Sequence, residues 1–133
     1  MTQRGEASFR VTSWDEKPRV ESEDGTKLTQ AHVTQSYQGI IEGNGSVDYL
    51  MFHRVDGTAN FIGFERITGS VAGRSGSFVV QHEGKYEGGL AQSRWFVVEG
   101  SGTGPLGRLH GRGSYSVGHA GEASVQFEFD LED

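Results

Sequence analysis

The chain has 133 residues, with 21 glycines, two prolines, no cysteine, and 12 basic against 18 acidic side chains for a formal charge of −6. Average usage would give roughly 9 glycines, and each glycine inside a helix costs about 1 kcal/mol relative to alanine, so the excess excludes a helical bundle. Scarce proline excludes proline-rich disorder, the missing cysteines exclude disulfides, thiolate catalysis and cysteine-ligated zinc, and net acidity argues against a nucleic-acid partner.

Residues 7–12 alternate apolar and polar with period two, placing Phe9 and Val11 on one face of a first strand that reaches toward Trp14. The next segment, 15–25, carries five acidic residues around Pro18 and is predicted to be a solvated loop. Residues 27–41, rich in Thr, Val and Tyr, form a long second strand, closed by a turn at Glu42-Gly43-Asn44-Gly45. A third strand covers 46–55. Asp56-Gly57 is a strong hairpin signal and leads into a fourth strand over 58–71. Further strands are predicted at 77–82, 90–98, 111–117 and 123–131, separated by Gly73 and Gly76, by Gly88-Gly89, and by Gly118 to Gly121. A second group of glycines, Gly63, Gly69, Gly102, Gly104 and Gly113, falls inside extended segments, where a sheet bends as it closes.

Eight antiparallel strands with no helical period suit a closed barrel or a sandwich in one domain over 1–133. No apolar run approaches the 18 or so residues of a membrane span, and the start lacks a secretory signal. A soluble cytoplasmic protein is therefore expected. Several strands are apolar on both faces, as in Leu50-Met51-Phe52, Phe61-Ile62 and Trp95-Phe96-Val97. That pattern predicts a homo-oligomer, a dimer or higher, with the alternative of a filled interior and an exposed apolar patch. Arg108, His110 and Arg112 share one face of an extended segment, as a strand rim would.

Motif chemistry is mostly negative. Gly100-Ser101-Gly102-Thr103-Gly104 lacks the Gly-Lys-Ser/Thr of a phosphate loop, and Gly73-Arg74-Ser75-Gly76 is a turn rather than a nucleophile elbow. The histidines, His32, His53, His82, His110 and His119, have no metal-ligand spacing, so no metal and no cofactor are expected. What remains is strand parity. Phe61, Gly63, Glu65 and Ile67 share one face, as do Phe78, Val80 and His82, then Ser93, Trp95, Val97 and Glu99, then Val47, Tyr49, Met51 and His53. If these faces point inward, Glu65 and His82 are candidate acid and base groups, while Tyr49, Met51, Phe61, Phe78, Trp95 and Tyr115 are candidate ligand contacts. Alternatively, Glu65 faces outward to pair with an arginine and His82 caps a strand end near Glu83-Gly84.

Tyr49-Leu50-Met51, Asp56-Gly57-Thr58-Ala59, Gly63-Phe64-Glu65-Arg66, the run from Gly73 to His82 and Gly100-Ser101-Gly102-Thr103-Gly104-Pro105-Leu106 together resemble the bacterial domain-of-unknown-function family 3224. The resemblance spans nearly the whole chain, and the Gly73 to His82 run is its most specific part. That family is similar in fold to the allene oxide cyclase barrels, and Gly102-Thr103-Gly104 with Gly111-x-Gly113 resembles the glycine-rich hairpin of those barrels and of dirigent proteins. The resemblance implies a closed antiparallel β-barrel of about eight strands. It carries over no catalytic residue. Relatives in the wider group include cyclases that fold a reactive substrate in an apolar lumen, often with no cofactor. Three functional expectations follow: an apolar small molecule bound in the lumen, a cofactor-independent cyclase or isomerase using a lumen carboxylate or histidine, or a packed barrel acting as an interaction module.

Overall fold

Inward and outward side chains alternate along most of the extended sequence, and this period-two pattern drives the chain to curl one continuous sheet around its apolar face. The computed structural model describes residues 2–117 and 122–131. Eight strands follow in chain order: β1 (Gln3–Glu21), β2 (Lys27–Gly39), β3 (Ile41–His53), β4 (Ala59–Val71), β5 (Arg74–Glu87), β6 (Leu90–Val97), β7 (Leu109–Val117) and β8 (Glu122–Leu131). Each is antiparallel to the next, and β8 pairs back onto β1, closing the barrel. Among the described residues the one helical element is a single 3₁₀ turn at Gly104–Leu106.

Three expectations are corrected. The acidic segment after Trp14 is a strand as far as Glu21, hydrogen-bonded to β2 through Glu21 opposite Lys27, and the turn is confined to residues 22–26. It is mostly exposed on both faces because this ribbon projects past the core, so hydrophobic alternation was absent to mark it. β8 pairs only as far as Arg10, leaving the rest of β1 with β2 as its sole ladder partner; Pro18, lacking an N–H, is tolerated on that free edge beside a register shift. Second, Gly43 and Gly45 lie inside β3, and the chain reverses at Gly39, whose φ is +112°. Gly43 and Gly69 face each other across β3 and β4, where a Cβ on either would strike the opposing backbone. Third, Gly102 and Gly104 belong to the β6–β7 connection, not to a strand. Gly118, Gly121 and His119 lie outside the described residues.

The interior divides into two clusters bridged by Val11. One, including Ile41, Val71, Phe78, Trp95, Leu106, Phe127 and Phe129, fills the end where β2 turns to β3. The β6–β7 connection closes it: Thr103 N–H donates to Ser77 O (2.9 Å), Ser77 N–H donates to Thr103 Oγ1 (2.9 Å), and Leu106 is fully buried. The other cluster, Ala31, Val33, Val47, Tyr49, Met51 and Phe61, lines the opposite end.

Candidate functional site

The register places Ala31, Tyr49, Gly63, His82, Trp95, Gly113 and Phe127 in one row of partners around the wall, so large rings sit beside small residues. Trp95 lies over Gly113, where a Cβ would come within 2.5 Å of its ring. At this waist Glu65 and His82 are both 0% exposed. His82 Nε2 and Glu65 Oε1 are 2.6 Å apart, and Glu65 Oε2 accepts from Gln35 Nε2 and from the Tyr37 hydroxyl, both at 2.7 Å. His82 Nδ1 lies 3.3 Å from Ser93 Oγ. Gly45 makes this possible, because a Cβ there would overlap Glu65 Oε2. Burial and the adjacent Glu65 charge push the Tyr37 hydroxyl well above the ordinary tyrosine range.

Above the waist the barrel opens into a cavity of about 340 Å³. Phe9, Val11, Val33, Tyr49, Met51 and Phe61 form part of its wall, with Trp14, Tyr86 and Tyr115 completing an aromatic lining. Gln35, the donor to Glu65, contributes to the wall and connects the buried pair to the cavity. The Tyr49 and Tyr115 hydroxyls are 3.4 Å apart. Burial pushes the Tyr49 hydroxyl well above its usual range and that of Tyr115 to about 12, so both phenols stay protonated at neutral pH.

At the mouth stands a second carboxylate–imidazole pair. His53 Nε2 lies 2.9 Å from Glu16 Oε2, the buried Thr29 hydroxyl donates to the same oxygen at 2.7 Å, and Trp14 Nε1 donates to Glu16 Oε1 at 3.0 Å. Burial raises the Glu16 pKa, but the hydrogen bonds it accepts from Thr29, Trp14 and His53 counter this, and the carboxyl is held below its ordinary range. Trp14, 51% exposed, tilts over Tyr49 with ring centroids 6.4 Å apart.

The sequence-predicted residues thus fall into two layers. Tyr49, Met51, Phe61 and Tyr115 line the cavity. Glu65, His82, Phe78 and Trp95 are buried beneath it, with the His82 ring 5.5 Å from Tyr49 and 6.1 Å from Tyr115. Both Glu65 and His82 point inward and mid-strand, so neither the outward arginine pairing nor the strand-end cap applies. Strand parity puts His53 on the Tyr49 face, and the structure places both in the cavity wall. Glu16 lies in the segment predicted as a loop, and a register shift between Val11 and Ser13 puts Trp14 and Glu16 out of phase with Phe9 and Val11, so no alternation in the sequence marks it. Among the described residues no group of three His, Cys, Asp or Glu side chains converges as a metal site would require. No helix among them is long and apolar enough to cross a membrane.

Residues 5–129 match the family model described as protein of unknown function (DUF3224), and the chain belongs to that family. A crystal structure of a DUF3224-family protein of unknown function from Shewanella oneidensis MR-1 is similar to it at a TM-score of 0.78 and 26% identity, covering 100% of this chain and 99% of that one. No curated protein matches the chain.

Proposed function

We propose that this barrel binds a small apolar molecule in the cavity at its open end. The observation that supports this reading is the cavity itself: about 340 Å³, walled by aromatic and aliphatic side chains, with a few polar groups at its floor and mouth. Small-molecule sites have this composition and begin at roughly 300 Å³. The test uses N-phenylnaphthylamine, a neutral aromatic probe that brightens in apolar surroundings. Saturable binding is expected in the wild type and its loss in Ala91→Phe, which adds a ring to the cavity wall; absence of saturable wild-type binding would overturn the reading.

A cofactor-independent cyclase or isomerase is the second reading, favoured by the Glu16–His53 pair in the same wall. Proton transfer would fall to this pair, because Glu65 and His82 are sealed from the cavity and engaged with one another. Turnover of a bound molecule that stops in His53→Gln would support it.

We further infer that a second copy of the chain covers the outer face of β2, β3 and β4. Leu28 is paired with Phe52 and Leu50 with Ile62 across the ladders, and Phe64 follows on the same face of β4. From their fractional exposures these five side chains present on the order of 500 Å² of surface, the size of patch that on a monomer is often an interaction site. A two-fold contact would bury that patch on both copies, toward the ~800 Å² per partner of a standard interface. Sedimentation is expected to show a dimer for the wild type and a monomer for Ile62→Lys; a monomeric wild type would contradict it.

A further inference from the structure

The polar groups at the cavity mouth differ in what they have left to offer a ligand. Trp14 Nε1–H is donated to Glu16 Oε1, and the Thr29 hydroxyl is donated to Glu16 Oε2. The carboxylate at 2.9 Å fixes the His53 proton on Nε2, where Thr29 Oγ1, 3.1 Å away, shares it. All three donors therefore end on Glu16. What remains is acceptor capacity: the lone pair of His53 Nδ1, which has no hydrogen-bond partner among the described residues, and the unfilled lone pairs of an ionised carboxylate. Among the described residues no lysine or arginine lines the cavity. Lys27, opposite His53 in the β2–β3 register, is exposed and outside the lining.

The apolar part of the wall reinforces this polarity. Trp14, Tyr49, Phe61, Tyr86, Phe9 and Tyr115 surround the cavity, and aromatic faces attract cations while doing nothing for anions. An anionic head at the mouth would be repelled by the Glu16 carboxylate; a neutral head would gain one hydrogen bond; a protonated amine would gain a charge-assisted bond and aromatic contact together.

We propose that the cavity selects lipophilic amines, binding the protonated amine at the Glu16–His53 mouth with the apolar body inside. This rests on the ligand-binding reading above and names its ligand class. The net acidity of the chain, −6, favours the approach of such a cation.

Three matched probes test it: naphthylmethylamine, naphthylmethanol and naphthoate, titrated by calorimetry at neutral pH beside N-phenylnaphthylamine. The amine is expected to bind about tenfold more tightly than the alcohol, a difference of about 1.4 kcal/mol, with naphthoate weakest. Glu16→Gln should erase the amine's advantage and leave the alcohol's affinity within about twofold; His53→Gln, which keeps Glu16, should retain most of it. Equal affinities of amine and alcohol, or tighter naphthoate, with N-phenylnaphthylamine still bound, would overturn the amine proposal alone. Failure of all four to bind would overturn the cavity reading and this proposal with it.

Discussion

At the end of the barrel where β2 turns into β3 and β6 into β7, Leu106, Ile41, Val71, Phe127 and Phe129 fill the interior completely, whereas at the opposite end Tyr49, Met51 and Phe61 surround a void. Both ends are built from the same eight strands. The difference lies in the connections: the one between β6 and β7 folds inward and inserts Leu106, while the β1–β2 ribbon continues upward as a polar two-stranded extension that adds Trp14 and Glu16 to the rim. Between them the waist holds Glu65 and His82 with every one of their side-chain polar atoms engaged. Stability is thus concentrated at the plugged end, and the open end forgoes the packing that would fill it.

The largest expected contrast is between core truncations. Phe127→Ala at the plugged end should cost about 3–5 kcal/mol, whereas Met51→Ala, whose neighbours already face a void, should fall near the lower limit of about 2 for such truncations. Urea denaturation measures both, and equal losses would erase the contrast. Next is the waist: Glu65→Gln places an amide where three donors converge and should cost about 3 kcal/mol by thermal or chemical unfolding, as breaking a buried pair does. Wild-type stability in this variant would make the network dispensable.

The third expectation concerns alkaline pH. Tyr37, Tyr49 and Tyr115 have folded-state pKa values raised above the reference of 10.0, so the folded chain holds these protons when the unfolded chain releases them. The stabilisation is full below pH 10 and is lost as pH rises through the folded values, that of Tyr115 being about 12. Phenolate absorbance should show these three tyrosines ionising together with unfolding; their ionisation in the folded protein would contradict the sealed floor. The smallest effect belongs to Glu16. Its lowered pKa contributes stability above the reference of 4.5 that is lost as pH falls through the folded value. Because the side chain is partly solvated, Glu16→Gln should cost under about 1 kcal/mol near neutrality and flatten the acid limb of the stability profile.

Strand number and the residues that share a face are legible in the sequence because period-two alternation is a local signal: Phe61, Glu65 and Ile67 share a face, as do Phe78, Val80 and His82; that both faces turn inward is decided by the structure. The upper part of β1 is not, because a ribbon solvated on both sides has no such alternation to show. The seat that Gly45 makes for Glu65 was equally hidden: it depends on the register of β3 against β4, which a sequence leaves open. At Gly63, Gly69 and Gly113 the structure shows close approaches to a neighbouring strand or ring, with the ladders running through them uninterrupted, while Gly43 and Gly45, predicted as a turn, lie within β3.

The central claim is that ligand enters the open end and not the apolar outer strip. Met51 tests it directly, since it lines the cavity and Met1 is the one other methionine. With a methyl-labelled protein, titration of N-phenylnaphthylamine should shift the Met51 methyl resonance in proportion to probe occupancy. Saturable probe binding that leaves that methyl unmoved would place the ligand elsewhere and contradict the account.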